Sequence, residues 1–154
     1  MPSFVQLPRR SLLAGLAGLA SLGAAPLGPV VTAEEVRRDR TAPRPPRDRS
    51  LPDPLSPRIE VDRPDATHSL VAPISFRVAF RPAPGAAIVA SSFHAAYGFL
   101  QLDITSRLLE RARLSAAELV AEQVDIPAGQ HRVTLEIADN TGRIGRRTFR
   151  FAVV

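Results

Sequence analysis

"IPAGQHRVTLEIADNTGRIGRRTFRFAVV" occupies Ile126–Val154 and reads as turn, strand, turn, strand. Pro127-Ala128-Gly129 makes the first turn, where Gly129 allows a tight backbone. His131, Val133, Leu135 and Ile137 then alternate with Arg132, Thr134 and Glu136. A period of two is the mark of a strand with one buried face. Asp139-Asn140-Thr141-Gly142 is turn chemistry, because Asn and Gly tolerate positive φ. The Asp139 carboxylate is expected to accept hydrogen bonds from the amides of Thr141 and Gly142. Phe149, Phe151 and Val153 return on the core side of the last strand.

The same alternation recurs upstream. "RIEVD" puts Ile59 and Val61 on one face. "ISFRVAF" puts Ile74, Phe76, Val78 and Phe80 on one face, and Ser75, Arg77 and Ala79 on the other. "RPAPGAA" interrupts with two prolines and a glycine. "SFHAAYG" aligns Phe93, Ala95 and Tyr97, and Gly98 turns the chain into "FLQLDIT". "LVAEQV" is a weaker strand. In "SRLLERARLSAAELVAE", Leu108, Leu109 and Leu119 with Glu110 and Arg111 allow helix, and a short turn of it is expected near Ser106–Glu110. Six or seven short strands in about 100 residues predict an antiparallel β-sandwich.

"PAGQHRVTLEIADNTGR" followed by "FRFAV" resembles the closing hairpin of bacterial immunoglobulin-like domains. "RIEVDRPDAT" and "APISFRVAF" resemble their first two strands. The resemblance covers Arg58–Val154. It implies an immunoglobulin-like antiparallel β-sandwich of about seven strands, preceded by a signal helix and a disordered linker. Such domains serve as spacers, adhesion modules, carbohydrate-associated modules and accessory domains, and share no catalytic residues.

Before the sandwich lies "PRRSLLAGLAGLASLGAAPLGPVVTA", Pro8–Ala33. Arg9 and Arg10 precede an apolar run, Leu12–Ala25, that suits a signal-peptide core and is short for a membrane span of about 20 residues. Pro26 and Pro29 would interrupt a longer helix. Val31-Thr32-Ala33 offers small or short residues ahead of Glu34, so cleavage is expected after Ala33. "RRSLLAG" resembles a bacterial twin-arginine signal, with Pro8 and Ala14 departing from its usual residues. The resemblance implies export, hence a periplasmic or secreted protein with no stable membrane span after cleavage. An ordinary secretory signal and an uncleaved anchor are the alternatives.

Residues 34–57, "EEVRRDRTAPRPPRDRSLPDPLSP", hold six prolines and eleven charges. Such a stretch buries too little to offset its ordering entropy. It reads as a disordered spacer rather than a partner-binding arm. Its arginines (Arg37, Arg38, Arg40, Arg44, Arg47, Arg49) are interleaved with Glu34, Glu35, Asp39, Asp48 and Asp53. The expected organisation is therefore signal 1–33, linker 34–57 and sandwich 58–154.

All 20 Lys+Arg residues of the 154 are arginine, and the net charge is +5. From Arg58 onward twelve arginines face ten acids. That scatter argues against nucleic acid, which needs a concentrated basic patch. The absence of cysteine excludes disulfides, thiolate metal sites and a cysteine nucleophile. His68, His94 and His131 share no metal-ligand spacing. His131 is expected to be structural. Asp125, Asp139 and Asn140 could offer oxygen to calcium, but turn capping accounts for them better. No serine stands in GxSxG or SxxK, and Glu118 and Glu122 lie at helical spacing with nothing in the sequence to mark a cleft. No catalytic residue, metal ligand or cofactor-binding residue is assigned. One surface feature remains: Arg132, Arg146 and Arg150, with Thr134, Glu136 and Thr148, should share an outward face. It reads first as a solvated face with cross-strand pairs such as Glu136 with arginine, and second as a basic patch for anionic polysaccharide or lipid headgroups.

These features predict an exported, non-catalytic binding or structural module of the bacterial periplasm or cell envelope. Its candidate partners are another exported protein or an envelope polysaccharide. An accessory subunit docking an exported enzyme is the first alternative. A metal-dependent or carbohydrate-active enzyme is the second.

Overall fold

The computed structural model describes residues 28–44, 53–65 and 67–154. Arg9, Arg10 and the centre of the leader lie outside them, as do residues 45–52 of the expected linker.

The fold is an all-β sandwich of two sheets. One sheet has four strands: β1 (Arg58–Arg63), β3 (Ile74–Arg81), β6 (Ala112–Leu114) and β7 (Glu118–Val124), in the order β1-β3-β7-β6. The other has five: β2 (Ser69–Leu70), β4 (Ile88–Tyr97), β5 (Leu102–Asp103), β8 (Gly129–Asp139) and β9 (Ile144–Val153), in the order β2-β9-β8-β4-β5. Every ladder is antiparallel except the two-residue β2–β9 pair. The additions to the expected strand set are the short β2, β5 and β6, which alternation over two or three residues cannot mark. The expected helical turn is α2 (Thr105–Leu109).

The closing hairpin β8–β9 pairs without interruption from Gly129↔Val153 to Ala138↔Ile144. Its inward residues meet the other sheet as the alternation requires. Phe76 of β3 packs edge-on against Phe149 and Phe151, with centroids 6.4 and 5.8 Å apart. Phe80 lies 6.1 Å from Phe93. At the turn, the Asp139 carboxylate accepts from the Thr141 amide at 2.9 Å and its hydroxyl at 2.6 Å. The Gly142 amide, expected on the same carboxylate, instead donates to the Asp139 carbonyl, and the Arg143 amide takes the carboxylate at 3.0 Å.

The largest departure lies ahead of Arg58. Residues 33–41, expected to end the leader and begin the spacer, form helix α1 (Ala33–Thr41). A capping box starts it: the Thr32 hydroxyl accepts from the Glu35 amide at 3.2 Å, and the Glu35 carboxylate accepts from the Thr32 amide at 2.8 Å. Glu34 and Glu35 in the first turn and Arg38 and Arg40 in the last suit the helix dipole. Pro43 stops it, since the residue before a proline is pushed out of helical geometry.

Helix α1 is docked on the sandwich. Val30, Val31 and Val36 are buried in the same core as the strands. The Arg107 guanidinium donates to both Glu35 carboxylate oxygens at 2.9 Å. Asp39 Oδ1 accepts from the Phe99 and Leu100 amides at 2.5 and 3.0 Å. Gly98, at φ +73°, has no room for a Cβ because the Asp39 carboxylate fills that space. The Pro- and charge-rich composition thus misleads over residues 33–41. A few buried valines and two carboxylate latches are enough to fix the helix.

Candidate functional site: arginines on the two outer sheet faces

Strand register decides which charges meet. On the five-stranded sheet, Arg132 faces Arg150, Thr134 faces Thr148 and Glu136 faces Arg146. The three arginines singled out in the sequence therefore lie along one outer face. The structure also gives two of them partners. Arg146 Nε lies 2.6 Å from Glu136 Oε1, and Arg132 stacks over the Phe99 ring at 4.9 Å from its centroid. The Thr134 and Thr148 hydroxyls are 2.9 Å apart. This face thus combines one Glu–Arg contact, one stacked arginine and one opposed arginine pair, Arg132↔Arg150.

The four-stranded sheet is different. Arg63 faces Arg77, Arg77 faces Val120, and Val120 faces Arg113. The three arginines and Val120 thus form one row across all four strands. With strands 4.7–4.9 Å apart, the row runs about 14 Å. All three arginines are exposed, and none has an ion-pair partner among the described residues. A groove of about 420 Å³ lies over Arg77, Arg113 and Val120. A second depression of about 320 Å³ extends it to Arg63. Glu118 and Glu122 stand on the groove's banks, two residues to either side of Val120.

Sequence reasoning placed Arg77 outward but missed the row, because of a β-bulge. Ile59 and Val61 face the core, so strict alternation would send Arg63 inward as well. The pairing slips between Val61↔Val78 and Arg63↔Arg77. The extra residue re-aims Arg63 to the outer face. Pro64 directly after the strand was the only sequence hint. Arg113 was hidden in a segment that reads equally as helix.

Like charges directly opposite on neighbouring strands destabilise a sheet by about 0.2–1 kcal/mol. Arg63↔Arg77 is such a pair, as is Arg132↔Arg150 on the five-stranded sheet, and neither Arg63 nor Arg77 has an ion-pair partner among the described residues. A row of this kind concentrates positive charge and planar donor forks. It can bind carboxylate or sulfate groups held at regular spacing.

The remaining polar groups do not converge. His131, 2% exposed, lies between Tyr97 Oη (2.9 Å from Nδ1) and the Pro127 carbonyl (2.8 Å from Nε2). A carbonyl only accepts, so Nε2 carries the proton and the Tyr97 hydroxyl donates to Nδ1. Burial pushes the His131 pKa below its ordinary value. It also pushes Tyr97 up to about 12, with Asp39 adding to the effect. This pair sits in the core. His94 lies on the outer side of β4, 3.7 Å from Asp103, and His68 stands in an exposed turn beside Asp65. Among the described residues no group of three His, Asp or Glu side chains is placed to hold a metal ion. Comparison with known protein families, curated proteins and solved structures found no match for this chain.

Proposed function

We propose that the chain is an exported, non-catalytic binding module of the bacterial periplasm or cell envelope. Its four-stranded sheet takes an anionic polysaccharide across Arg63, Arg77 and Arg113. The observation that carries this reading is the in-register arginine row, whose three guanidinium groups have no ion-pair partner among the described residues. Glu118 and Glu122 on the banks favour a sugar chain over a bare phosphate surface. They accept hydrogen bonds from hydroxyls, which a polyuronate carries between its carboxylates. The resemblance of "RRSLLAG" to an export signal supports the location.

The accessory-subunit reading would use the open edge of β9. That edge carries Arg146, Arg147 and Arg150, and Pro57 packs so close to Gly145 that a Cβ there would strike its carbonyl. Charged and covered edges resist strand addition.

The test is binding of the purified chain to a soluble polyuronate and to a neutral glucan of similar length. The expected result is retention on the polyuronate alone, lost in molar salt because exposed charges are screened. Equal binding to both polymers, or to neither, would refute the reading.

A further inference from the structure

Val30 and Val31 are 2% and 1% exposed and close an apolar slot between the sheets with Ile104, Leu108, Ile126 and Val133. The Gly28 carbonyl accepts from Arg111 at 2.5 Å. Thr32 supplies the capping box, and its carbonyl accepts the first helical bond from the Val36 amide at 3.1 Å. Cleavage after Ala33 would discard Gly28, Val30, Val31 and Thr32. It would also leave a new ammonium group on Glu34, at the positive end of the helix dipole. The bond to be cut lies inside the first turn of α1, whereas proteolysis concentrates at exposed, weakly tied segments.

We infer that the mature protein keeps Val30–Thr41 as a plug in the end of the sandwich, and that leader removal takes place upstream of Val30 instead of after Ala33. The plug rests on the packing alone. The processing point also rests on the export reading proposed above.

Two experiments on the full chain test this. The first is the intact mass of the protein recovered after expression in an exporting bacterium. A product beginning ahead of Val30 is expected, and one beginning at Glu34 overturns the inference. A full-length chain recovered only from the cytoplasm retains the plug and counts against export instead. The second is the melting temperature of Val31→Ser, which is expected to fall by about 5 °C or more. A shift below about 1 °C overturns the plug, because a residue without a role in packing would leave the fold unchanged. If Val31→Ser does not fold, Val30→Ala gives a milder form of the same comparison.

Discussion

The two outer faces carry arginine to opposite effect. On the five-stranded sheet, Arg146 meets Glu136 and Arg132 meets an aromatic ring. On the four-stranded sheet, Arg63 meets Arg77, and Arg113 lies across Val120 from it. Counting charges does not separate these faces, since each bears arginine and glutamate. Register opposes arginine to arginine once on each face, Arg132↔Arg150 and Arg63↔Arg77, and the faces differ in that Arg132 and Arg146 also have partners. Arg107 is the limiting case of neutralisation, half-buried and held by both oxygens of Glu35.

The strongest way to sharpen this contrast is to break the limiting case. The Arg107 guanidinium, joined by the Thr32 contacts, holds the Glu35 carboxyl down at about 2 from an ordinary 4.5. A depressed carboxylate contributes stability above its unfolded value and loses it as pH falls through its folded one. The wild-type melting temperature should therefore drop between about pH 4.5 and pH 2. Glu35→Gln should lack that part of the slope and lose on the order of 1–3 kcal/mol at neutral pH, because Arg107 is left unpaired. Thermal melts at several pH values check both statements.

Next in size is the row itself. Arg63→Ser, Arg77→Ser and Arg113→Ser together should weaken polyuronate binding by about tenfold, equivalent to about 1.4 kcal/mol. The matching triple at Arg132, Arg146 and Arg150 should leave binding within about twofold. Equal losses from both triples in a titration would erase the distinction between the faces. The smallest is a gain in stability. Arg77→Thr removes a like-charge pair and adds a β-branched residue, so denaturant unfolding should show about 0.5 kcal/mol more stability. A loss instead would mean that Arg77 packs favourably where it stands.

Much of the sandwich was legible because strands with one buried face write their period into the chain. The β8–β9 hairpin follows it through ten consecutive pairs, from His131 inward to Arg132 outward. Three things were not legible. Helix α1 was masked by its composition, although Thr32-Ala33-Glu34-Glu35 carries the pattern of a capping box. Val30 and Val31 look like the end of an apolar leader, and only the tertiary slot reveals their role. Arg63 obeys a bulge, which alternation cannot foresee. The alternation places Arg132, Arg146 and Arg150 of the five-stranded sheet on one face. Which of them meets Glu136 needed the register, which pairs it with Arg146 instead of with a neighbour.

Tyr97 is the chain's only tyrosine, and there is no tryptophan. Its near-ultraviolet absorbance and intrinsic fluorescence therefore come chiefly from one phenol, 2% exposed and hydrogen-bonded to His131. Tyr97 is one residue from Gly98, where the Asp39 carboxylate of α1 fills the space a Cβ would take. Loosening of the helix end should change the optical signal before the distant hairpin turn opens. The molecule thus carries an unlabelled reporter at the end where its least expected element is attached.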